Sequence, residues 1–262
     1  MSAELDELKD LTRALRRRAS MSDASDWTSG RGAKAADAAA PESAPKTAPA
    51  KPARNAAPIA AARSGSLDEL ATKIQACRAC ELGKYRLQAV PGVGARDAKV
   101  MMIGEGPGFQ EDHTGEPFVG RSGQLLDKIL ESIGLSRKTN VYIANIVKCH
   151  PMKNPSDPES HGNDRPPTPE EMDECRGWLE AQIRAIKPKV LVTLGASPAK
   201  ALLRDQTPIT KLRGQWRTFD PGGGLGPIKL LPTFHPAALL RNPELKKDVW
   251  EDMKSLRQEL SK

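Results

Sequence analysis

The sequence lacks long apolar runs. No stretch approaches the about 20 consecutive apolar residues that a membrane-spanning helix requires. The first residues, Met-Ser-Ala-Glu-Leu-Asp-Glu, contain no basic segment followed by an apolar one, which is the order typical of a secretory signal peptide. We therefore expect a cytoplasmic protein with no membrane partner.

Several familiar catalytic signatures are also missing. The sequence has no Gly-x-Ser-x-Gly nucleophile elbow and no His-Glu-x-x-His zinc motif. Its glycine-rich segment, Gly104–Gly108, is not followed by the Gly-Lys-Ser/Thr of a Walker loop and does not have the GxGxxG spacing of a Rossmann turn. These absences argue against the hydrolases and nucleotide-binding proteins that carry such motifs.

Apolar residues make up only 38% of the 262 residues, so part of the chain is expected to lie outside a folded core. Lysine and arginine exceed the acidic residues by a formal charge of +7. A basic excess favours polyanionic partners, because neutralising phosphates releases their counterions. The composition is thus compatible with nucleic-acid binding and predicts one folded domain with a tail.

Two of three predicted regions form that tail. Residues 1–21 have leucines at helical spacing, which predicts a short amphipathic helix (Leu5, Leu8, Leu11 and Leu15). This helix either packs on its own domain or docks an unknown protein partner. Residues 22–65 are rich in Ala and Pro and have few apolar anchors, which predicts a disordered linker. We expect the protein to be a monomer.

Residues 66–262 alternate strand and helix patterns, which predicts an α/β domain with a mainly parallel sheet covered on both faces. Four apolar runs are the predicted strands (99–104, 141–147, 190–195 and 230–234). Thr168 and Glu171 predict a capping box at the start of one helix, and Asn242 is expected to cap the last helix. In such a sheet the functional loops gather where the parallel strands end.

The only four cysteines are the pair Cys77-x-x-Cys80 and the single residues Cys149 and Cys175. In a reducing compartment, cysteines are more often metal ligands or reactive thiols than disulfides. We interpret the four as one shared thiolate site for zinc or an iron–sulfur cluster, and their spacing does not distinguish the two. The alternative is that Cys149 and Cys175 are buried hydrophobic residues.

Several motifs follow the predicted strands in a fixed order. The first strand is followed by Gly-Glu-Gly-Pro-Gly, then by Glu111-Asp112 and by Pro-Phe-Val-Gly around Phe118. The second strand is followed by Asn-Ile-Val-Lys-Cys from Asn145, and the last by His235-Pro-Ala-Ala-Leu-Leu-Arg-Asn-Pro. Together with the four cysteines, these motifs resemble the family 4 uracil-DNA glycosylases. The resemblance extends over about residues 67–260.

The resemblance implies a three-layer α/β/α fold with a central four-stranded sheet, a 4Fe–4S cluster on the four cysteines, and removal of uracil from DNA in base excision repair. Carried onto this chain, Glu105 and Gly106 would position the attacking water. Phe118 would stack on the extruded uracil, Asn145 would pair with its edge, and His235 would contact its O2 atom. The products would be free uracil and an abasic site, without a covalent enzyme intermediate.

Each of these residues also has a structural alternative. Phe118 could belong to the core, Asn145 could cap a turn, His235 could bond to a neighbouring carbonyl, and Glu105 could cap the next helix. We favour the functional interpretation because the residues fall at adjoining strand ends.

The segment after His235 resembles the part of the family that enters the minor groove, so Leu239, Leu240 or Arg241 would fill the gap left by the extruded base. Alternatively, Leu239 and Leu240 pack inward in the first helical turn. Lys148, Arg121 and Arg241 are candidates for contacting phosphates.

A related group of enzymes traps DNA covalently through a histidine on an arginine-rich loop. Here His161 has no flanking arginines, so no trapping is expected.

Two functions from other classes remain as alternatives. A non-catalytic DNA-binding or redox-sensing protein would bind DNA without releasing a base. A zinc-stabilised hydrolase of small nucleotides would act on free nucleosides or nucleotides.

Overall fold

The computed structural model of the chain describes residues 65–262. The helix predicted over residues 1–21 and the linker predicted over 22–65, apart from Gly65, lie outside this range. The helices are α1 (Leu67–Ala76), α2 (Leu82–Tyr85), α3 (Phe109–Thr114), α4 (Arg121–Glu131), α5 (Pro169–Ile186), α6 (Ala196–Leu203), α7 (Ile209–Leu212), α8 (Pro236–Arg241) and α9 (Leu245–Leu260). The strands are β1 (Val93–Gly94), β2 (Val100–Gly104), β3 (Val141–Asn145), β4 (Val190–Leu194), β5 (Arg217–Phe219) and β6 (Ile228–Thr233).

The strands form one sheet in the order β1-β3-β2-β4-β6-β5. The four predicted strands are its parallel centre, β3-β2-β4-β6. Two short strands that sequence analysis missed pair antiparallel at the edges, β1 with β3 and β5 with β6. They span two and three residues, too few for an alternating pattern to show. The mainly parallel sheet is confirmed, and it has six strands rather than four.

Helices cover both faces of the sheet, so the predicted three-layer arrangement is confirmed. On one face, Met101, Ile103 and Leu191 of the strands pack with Ile74 of α1 and Leu179 of α5. The opposite face packs against α4, α8 and α9, through side chains that include Leu126, Leu130, Leu239, Val249 and Met253. Every residue of β2, β3 and β4 is buried, as expected for strands covered on both sides.

The chain leaves β2 and β4 on opposite faces of the sheet. The connection after β2 contains α4, and the connection after β4 contains α6, whose Leu202 packs in the other core. Neighbouring parallel strands whose connections leave on opposite sides form a crevice at their carboxyl ends, which is where α/β proteins bind ligands. This crevice lies between Gly104 and Leu194.

One predicted helix cap is confirmed and another is wrong. Thr168 and Glu171 form the capping box of α5, with Pro169 in the first turn. Asn242 ends α8 instead of starting α9: its backbone N–H donates to Ala238, and its side chain accepts from the N–H of Glu244. No helix within residues 65–262 is long and apolar enough to cross a membrane.

Candidate active site

Phe118, Asn145 and His235, predicted from separate motifs, meet at the carboxyl end of the sheet. The rings of Phe118 and His235 lie 5.5 Å apart between centroids, with an interplanar angle of 32°. A Cβ added at Gly104 would lie 2.3 Å from Asn145 Oδ1 and 2.7 Å from the Phe118 ring. Gly104 is therefore needed at the end of β2, because any side chain there would collide with both groups.

Asn145 is the last residue of β3 and is 1% exposed. Its Oδ1 is buried and has no hydrogen-bond partner in the described protein. An unpaired buried acceptor costs about 1–3 kcal/mol, so such groups are uncommon outside functional sites. The side chain therefore does not cap a turn through this oxygen.

His235 precedes α8 and is its N-cap residue. Its Nδ1 accepts a hydrogen bond of 3.1 Å from the backbone N–H of Ala237, which assigns the ring proton to Nε2. Burial, and to a lesser degree the charge of Arg241, lower the pKa of His235 to about 4. At neutral pH the residue is therefore a neutral imidazole with one N–H donor, Nε2–H. It does not use Nδ1–H to bond a neighbouring carbonyl.

Phe118 is buried, as the core alternative requires, but its backbone conformation is unusual. Its φ of 55° lies in the left-handed region, where an aromatic residue is an outlier. Such a conformation costs about 1–3 kcal/mol and persists only where the surroundings enforce it. Its occurrence in a residue that faces Asn145 and His235 favours a functional role for the ring.

Glu105 directly follows β2, and its Oε2 accepts a hydrogen bond from the hydroxyl of Ser197 in α6. This bond crosses the crevice between β2 and β4. Glu105 does not cap the following helix, because α3 begins after Gly108, whose backbone N–H donates to the side chain of Glu111. Sequence analysis missed Ser197, whose contact to Glu105 joins residues 92 positions apart.

Gly106 brings the loop after β2 against the loop after β3. A Cβ added at Gly106 would lie 2.8 Å from Val147 Cγ2. A side chain at Gly106 would therefore displace Glu105 relative to Asn145, because the two loops are in contact.

Glu111 connects the two loop motifs that follow β2. Its Oε2 accepts from the N–H of Gly108, at 3.1 Å, and its Oε1 from the N–H groups of Val119 and Gly120, at 3.0 and 3.3 Å. The neighbouring Asp112 is fully buried and accepts from the backbone N–H of Leu87. Glu111 therefore holds the Gly108 turn and the segment after Phe118, and Asp112 holds the backbone at Leu87.

The segment after His235 divides into one buried and two exposed candidates. Leu239 is 1% exposed and packs in the core with α4 and α9, as the alternative of an inward-facing leucine predicted. Leu240 is 43% exposed, and Arg241 is also exposed. Burial of Leu239 leaves Leu240 and Arg241 as the exposed candidates of this segment.

Lys148 cannot contact phosphates as the sequence suggested, because it is 1% exposed. Its Nζ donates to the backbone carbonyl of Asn145, at 2.8 Å, and to Gln182 Oε1, at 2.7 Å. Burial lowers the pKa of Lys148 to about 8. The residue therefore ties the end of β3 to α5 from inside the protein. Arg121, in contrast, is exposed at the start of α4.

The four cysteines line one pocket together with Arg86 and Lys148. All four are free thiols, and Cys149 and Cys175 are buried. Burial raises the pKa of Cys149 to about 11 and that of Cys175 to about 12. Arg86 Nη1 donates to Cys149 Sγ at 2.8 Å, which places a cation beside the thiols.

The positions of these side chains do not by themselves form a metal site. Within residues 65–262, no group of three or more His, Cys, Asp or Glu side chains is arranged to hold a metal ion. A metal or cluster held by the four cysteines therefore stays a prediction.

The polar loop after Cys149 folds back onto α3. His161 lies on the ring of Phe109, with 4.2 Å between centroids, and Phe109 also contacts His113 at 4.3 Å. His113 Nε2 in turn pairs with Glu159 at 3.0 Å. His161 is thus an exposed residue held against a neighbouring ring, and the absence of covalent trapping stays a prediction.

Comparison with known proteins agrees with this geometry. A model of the uracil DNA glycosylase superfamily matches residues 91–254. The chain is 38% identical to a type-4 uracil-DNA glycosylase of Archaeoglobus fulgidus, over 73% of this chain and 92% of that relative. It is 40% identical to a type-4 uracil-DNA glycosylase of Thermotoga maritima, over 76% of this chain and 97% of the relative. A type-5 uracil-DNA glycosylase of Pyrobaculum aerophilum is 29% identical. This chain belongs to the uracil DNA glycosylase superfamily and, within it, to the type-4 uracil-DNA glycosylases.

Proposed function

We propose that this DNA glycosylase hydrolyses the N-glycosidic bond of deoxyuridine in DNA and binds the extruded uracil between Phe118, Asn145 and His235. The observation that carries the proposal is the buried Asn145 Oδ1 without a donor, next to the Phe118 ring. A base inside a duplex is inaccessible, so the enzyme must extrude it, and an aromatic face recovers about 1–3 kcal/mol of the lost stacking. The products are free uracil and an abasic site, the entry point of base excision repair.

The side chain of Asn145 selects uracil over cytosine. Its Oδ1 accepts from uracil N3–H, and its amide nitrogen donates to O4. Cytosine presents an acceptor at N3 and a donor at N4, the reverse pattern. Cytosine would leave groups unpaired in the buried pocket, at about 1–3 kcal/mol for each group.

His235 stabilises the departing base. As the glycosidic bond breaks, negative charge develops on uracil and reaches O2. The Nε2–H of neutral His235 donates to this oxygen, while Nδ1 remains bonded to the backbone of α8. A donor held in place before the reaction stabilises the charge without having to reorganise.

Glu105 holds the water that adds to the sugar. Ser197 occupies Oε2 of the carboxylate, so the other oxygen is the one that accepts a hydrogen bond from water. The water oxygen bonds to the anomeric carbon after uracil leaves as an anion, and the water proton is given up to Glu105 or to solvent. No covalent bond to the enzyme forms.

Leu240 and Arg241 face the DNA in this proposal. Leu240 is an exposed apolar side chain next to a basic one, and it fills the space left by the extruded nucleotide. Arg241, with Arg121, contacts backbone phosphates.

The four cysteine thiolates, Cys77, Cys80, Cys149 and Cys175, are proposed to hold a 4Fe–4S cluster. Two observations support this proposal: the four thiols line one pocket, and the Arg86 cation beside them would offset the negative charge of a thiolate-bound cluster. When bound, the cluster supplies a cross-link between the turn before α2, the end of β3 and α5. We also propose that the protein is a cytoplasmic monomer and that residues 1–21 dock a partner protein.

A strand-cleavage assay tests the function. The purified protein is incubated with a labelled oligonucleotide that contains one uracil and then treated with alkali, which cleaves abasic sites. We expect cleavage at the uracil and none in a control with thymine at that position. Binding without cleavage would favour the sensor alternative, and turnover of free deoxyuridine without cleavage would favour the nucleotide hydrolase.

A further inference from the structure

The backbone of Phe118 is held by groups that lie outside every motif of the pocket. Its φ of 55° is one of three positive values among non-glycine residues in the described part of the chain. The other two, Lys187 and Arg204, end helices α5 and α6, where a left-handed residue is common. Phe118 ends no helix, so its conformation has another cause.

Arg137, in the connection between α4 and β3, supplies this cause. Its Nη1 donates to the carbonyl of Pro117 and its Nη2 to the carbonyl of Phe118, both at 3.0 Å. Its Nε donates to Asp127 Oδ1 of α4 at 2.8 Å. The planar fork of the guanidinium matches two consecutive carbonyls, and Asp127 fixes its orientation.

Gly123, in the first turn of α4, lies against the carbonyl of Phe118. A Cβ added at Gly123 would lie 1.8 Å from the carbonyl oxygen of Phe118. The carbonyl of Phe118 can therefore approach α4 only because residue 123 is glycine. With its carbonyl held by Arg137 and close to α4, Phe118 directs its ring toward His235.

We propose that Arg137 is a positioning residue for uracil recognition: it holds the Phe118 backbone in the left-handed conformation that places the ring over the extruded base. This inference rests on the proposed function of Phe118. Arg137 does not contact the base and acts only through the Phe118 ring.

Two other roles for Arg137 make different predictions. A phosphate-binding arginine would act through its charge, whereas the Arg137 side chain is only 16% exposed and its guanidinium is bonded to three protein groups. An arginine that only stabilises the fold would lower thermal stability without a specific connection to Phe118.

A double-mutant cycle distinguishes these roles. The variants Arg137→Gln, Phe118→Ala and the double variant are compared by kcat/KM on a uracil-containing oligonucleotide. We expect Arg137→Gln and Phe118→Ala each to lower kcat/KM about tenfold or more, as loss of base stacking implies. In the Phe118→Ala background, Arg137→Gln should cause no further loss. If the losses of the two single variants multiply in the double variant, the proposal is overturned.

Arg137→Lys separates the fork from the charge. Lysine keeps the positive charge but cannot bond both carbonyls in one plane, so we expect it to lose activity as Arg137→Gln does. Wild-type activity in Arg137→Lys would instead support a phosphate contact and contradict the proposal. Arg96→Gln is the matched control, because Arg96 is an exposed arginine paired with Asp68, and it should leave kcat/KM unchanged.

A variant that fails to fold is identified by its melting temperature, and Asp127→Asn then replaces it. This change weakens the anchor of the guanidinium at a half-exposed carboxylate. Asp127→Asn should also lower kcat/KM, and it should have no effect in the Phe118→Ala background. An equal loss of kcat/KM in both backgrounds contradicts the proposal. If the wild-type protein does not cut uracil, the proposed function fails; if it cuts and the cycle is multiplicative, only the role of Arg137 fails.

Discussion

The side-chain oxygen of Asn145 is a buried acceptor that the described protein leaves without a donor. The Phe118 ring lies near this oxygen and cannot donate a hydrogen bond to it. A bound uracil would pair this oxygen, so part of the cost of burying it is recovered only in the complex. The selectivity proposed for this site therefore depends on the chemistry of a single side chain.

Asn145→Asp should strongly weaken uracil excision. A carboxylate at this position accepts from N3–H but cannot donate to O4, and it places a negative charge beside a base that becomes negative itself. With two disturbed contacts at about 1–3 kcal/mol each, we expect a loss of about 100-fold or more. Single-turnover rates on oligonucleotides with uracil or cytosine would measure this. Unchanged rate and selectivity would remove Asn145 from the pocket.

His235 makes a pH-dependent contribution to stability. Its pKa is about 4 in the folded protein and near 6.5 in an unfolded chain. Below about pH 6.5 the unfolded state binds a proton that the folded state does not, so stability falls as pH decreases toward 4.

His235→Asn removes this titration and keeps a residue that caps helices well. We therefore expect the melting temperature of the variant to fall less between pH 7 and pH 5 than that of the wild-type protein. Equal shifts in the two proteins would show that His235 is not held neutral by burial.

At the scale of the elements, the crevice between β2 and β4 brings Glu105 and Ser197 together. Glu105 belongs to the loop after β2, whereas Ser197 lies in the first turn of α6 after β4. The hydroxyl fixes one carboxylate oxygen, and in the proposed function the other oxygen holds the water.

Ser197→Ala should lower kcat about tenfold with little change in KM, because a hydrogen bond to a charged group contributes about 1.5–3 kcal/mol and acts here on the water rather than on the base. Ser197→Thr retains the hydroxyl and is the control, with activity close to wild type. Measurements of kcat and KM on a uracil-containing oligonucleotide test this prediction. A rise in KM without a change in kcat would instead indicate that Ser197 contributes to DNA binding.

The sequence predicted elements whose signal is local. The parallel strands are continuous apolar runs, and the rule that their carboxyl ends meet placed the loops that follow them together. The resemblance to the family then singled out Phe118, Asn145 and His235 in those loops. Sequence analysis missed the edge strands β1 and β5 because they are too short for an alternating pattern. Sequence analysis also missed Ser197 and Arg137, because their contacts depend on the packing of separate elements. Ser197 contacts a residue 92 positions away, and Arg137 contacts residues 19 and 20 positions away.

The difference between local sequence signals and packing also explains why the sequence did not show which leucine after His235 is buried. Its sequence gives Leu239 and Leu240 equal apolar character, and only the packing of α8 against α4 and α9 shows which one is buried. Helical geometry turns neighbouring residues about 100° apart, so one leucine enters the core while the next faces outward.

At the scale of the whole molecule, the four cysteines lie in three segments that are far apart in the sequence. Cys77 and Cys80 lie between α1 and α2, Cys149 follows β3, and Cys175 lies in α5. A group bound to all four thiolates would join these segments and add its binding free energy to the stability of the fold. The burial that raises the pKa of Cys149 and Cys175 opposes their ionisation, so a metal bound to their thiolates would have to supply the compensating interaction.

Cys175→Ser should therefore lose the bound metal and lower the melting temperature. In the wild-type protein we expect iron and acid-labile sulfide in equal amounts, as a 4Fe–4S cluster requires. Leu179→Ala is the control: it removes a fully buried side chain from the same helix, so it destabilises by lost packing but should retain iron and sulfide. Metal analysis and thermal melting of the three proteins separate ligand loss from packing loss, because only ligand loss removes iron. Zinc without sulfide in the wild-type protein would replace the cluster with a mononuclear site, and iron retained in Cys175→Ser would remove this cysteine from the ligand set.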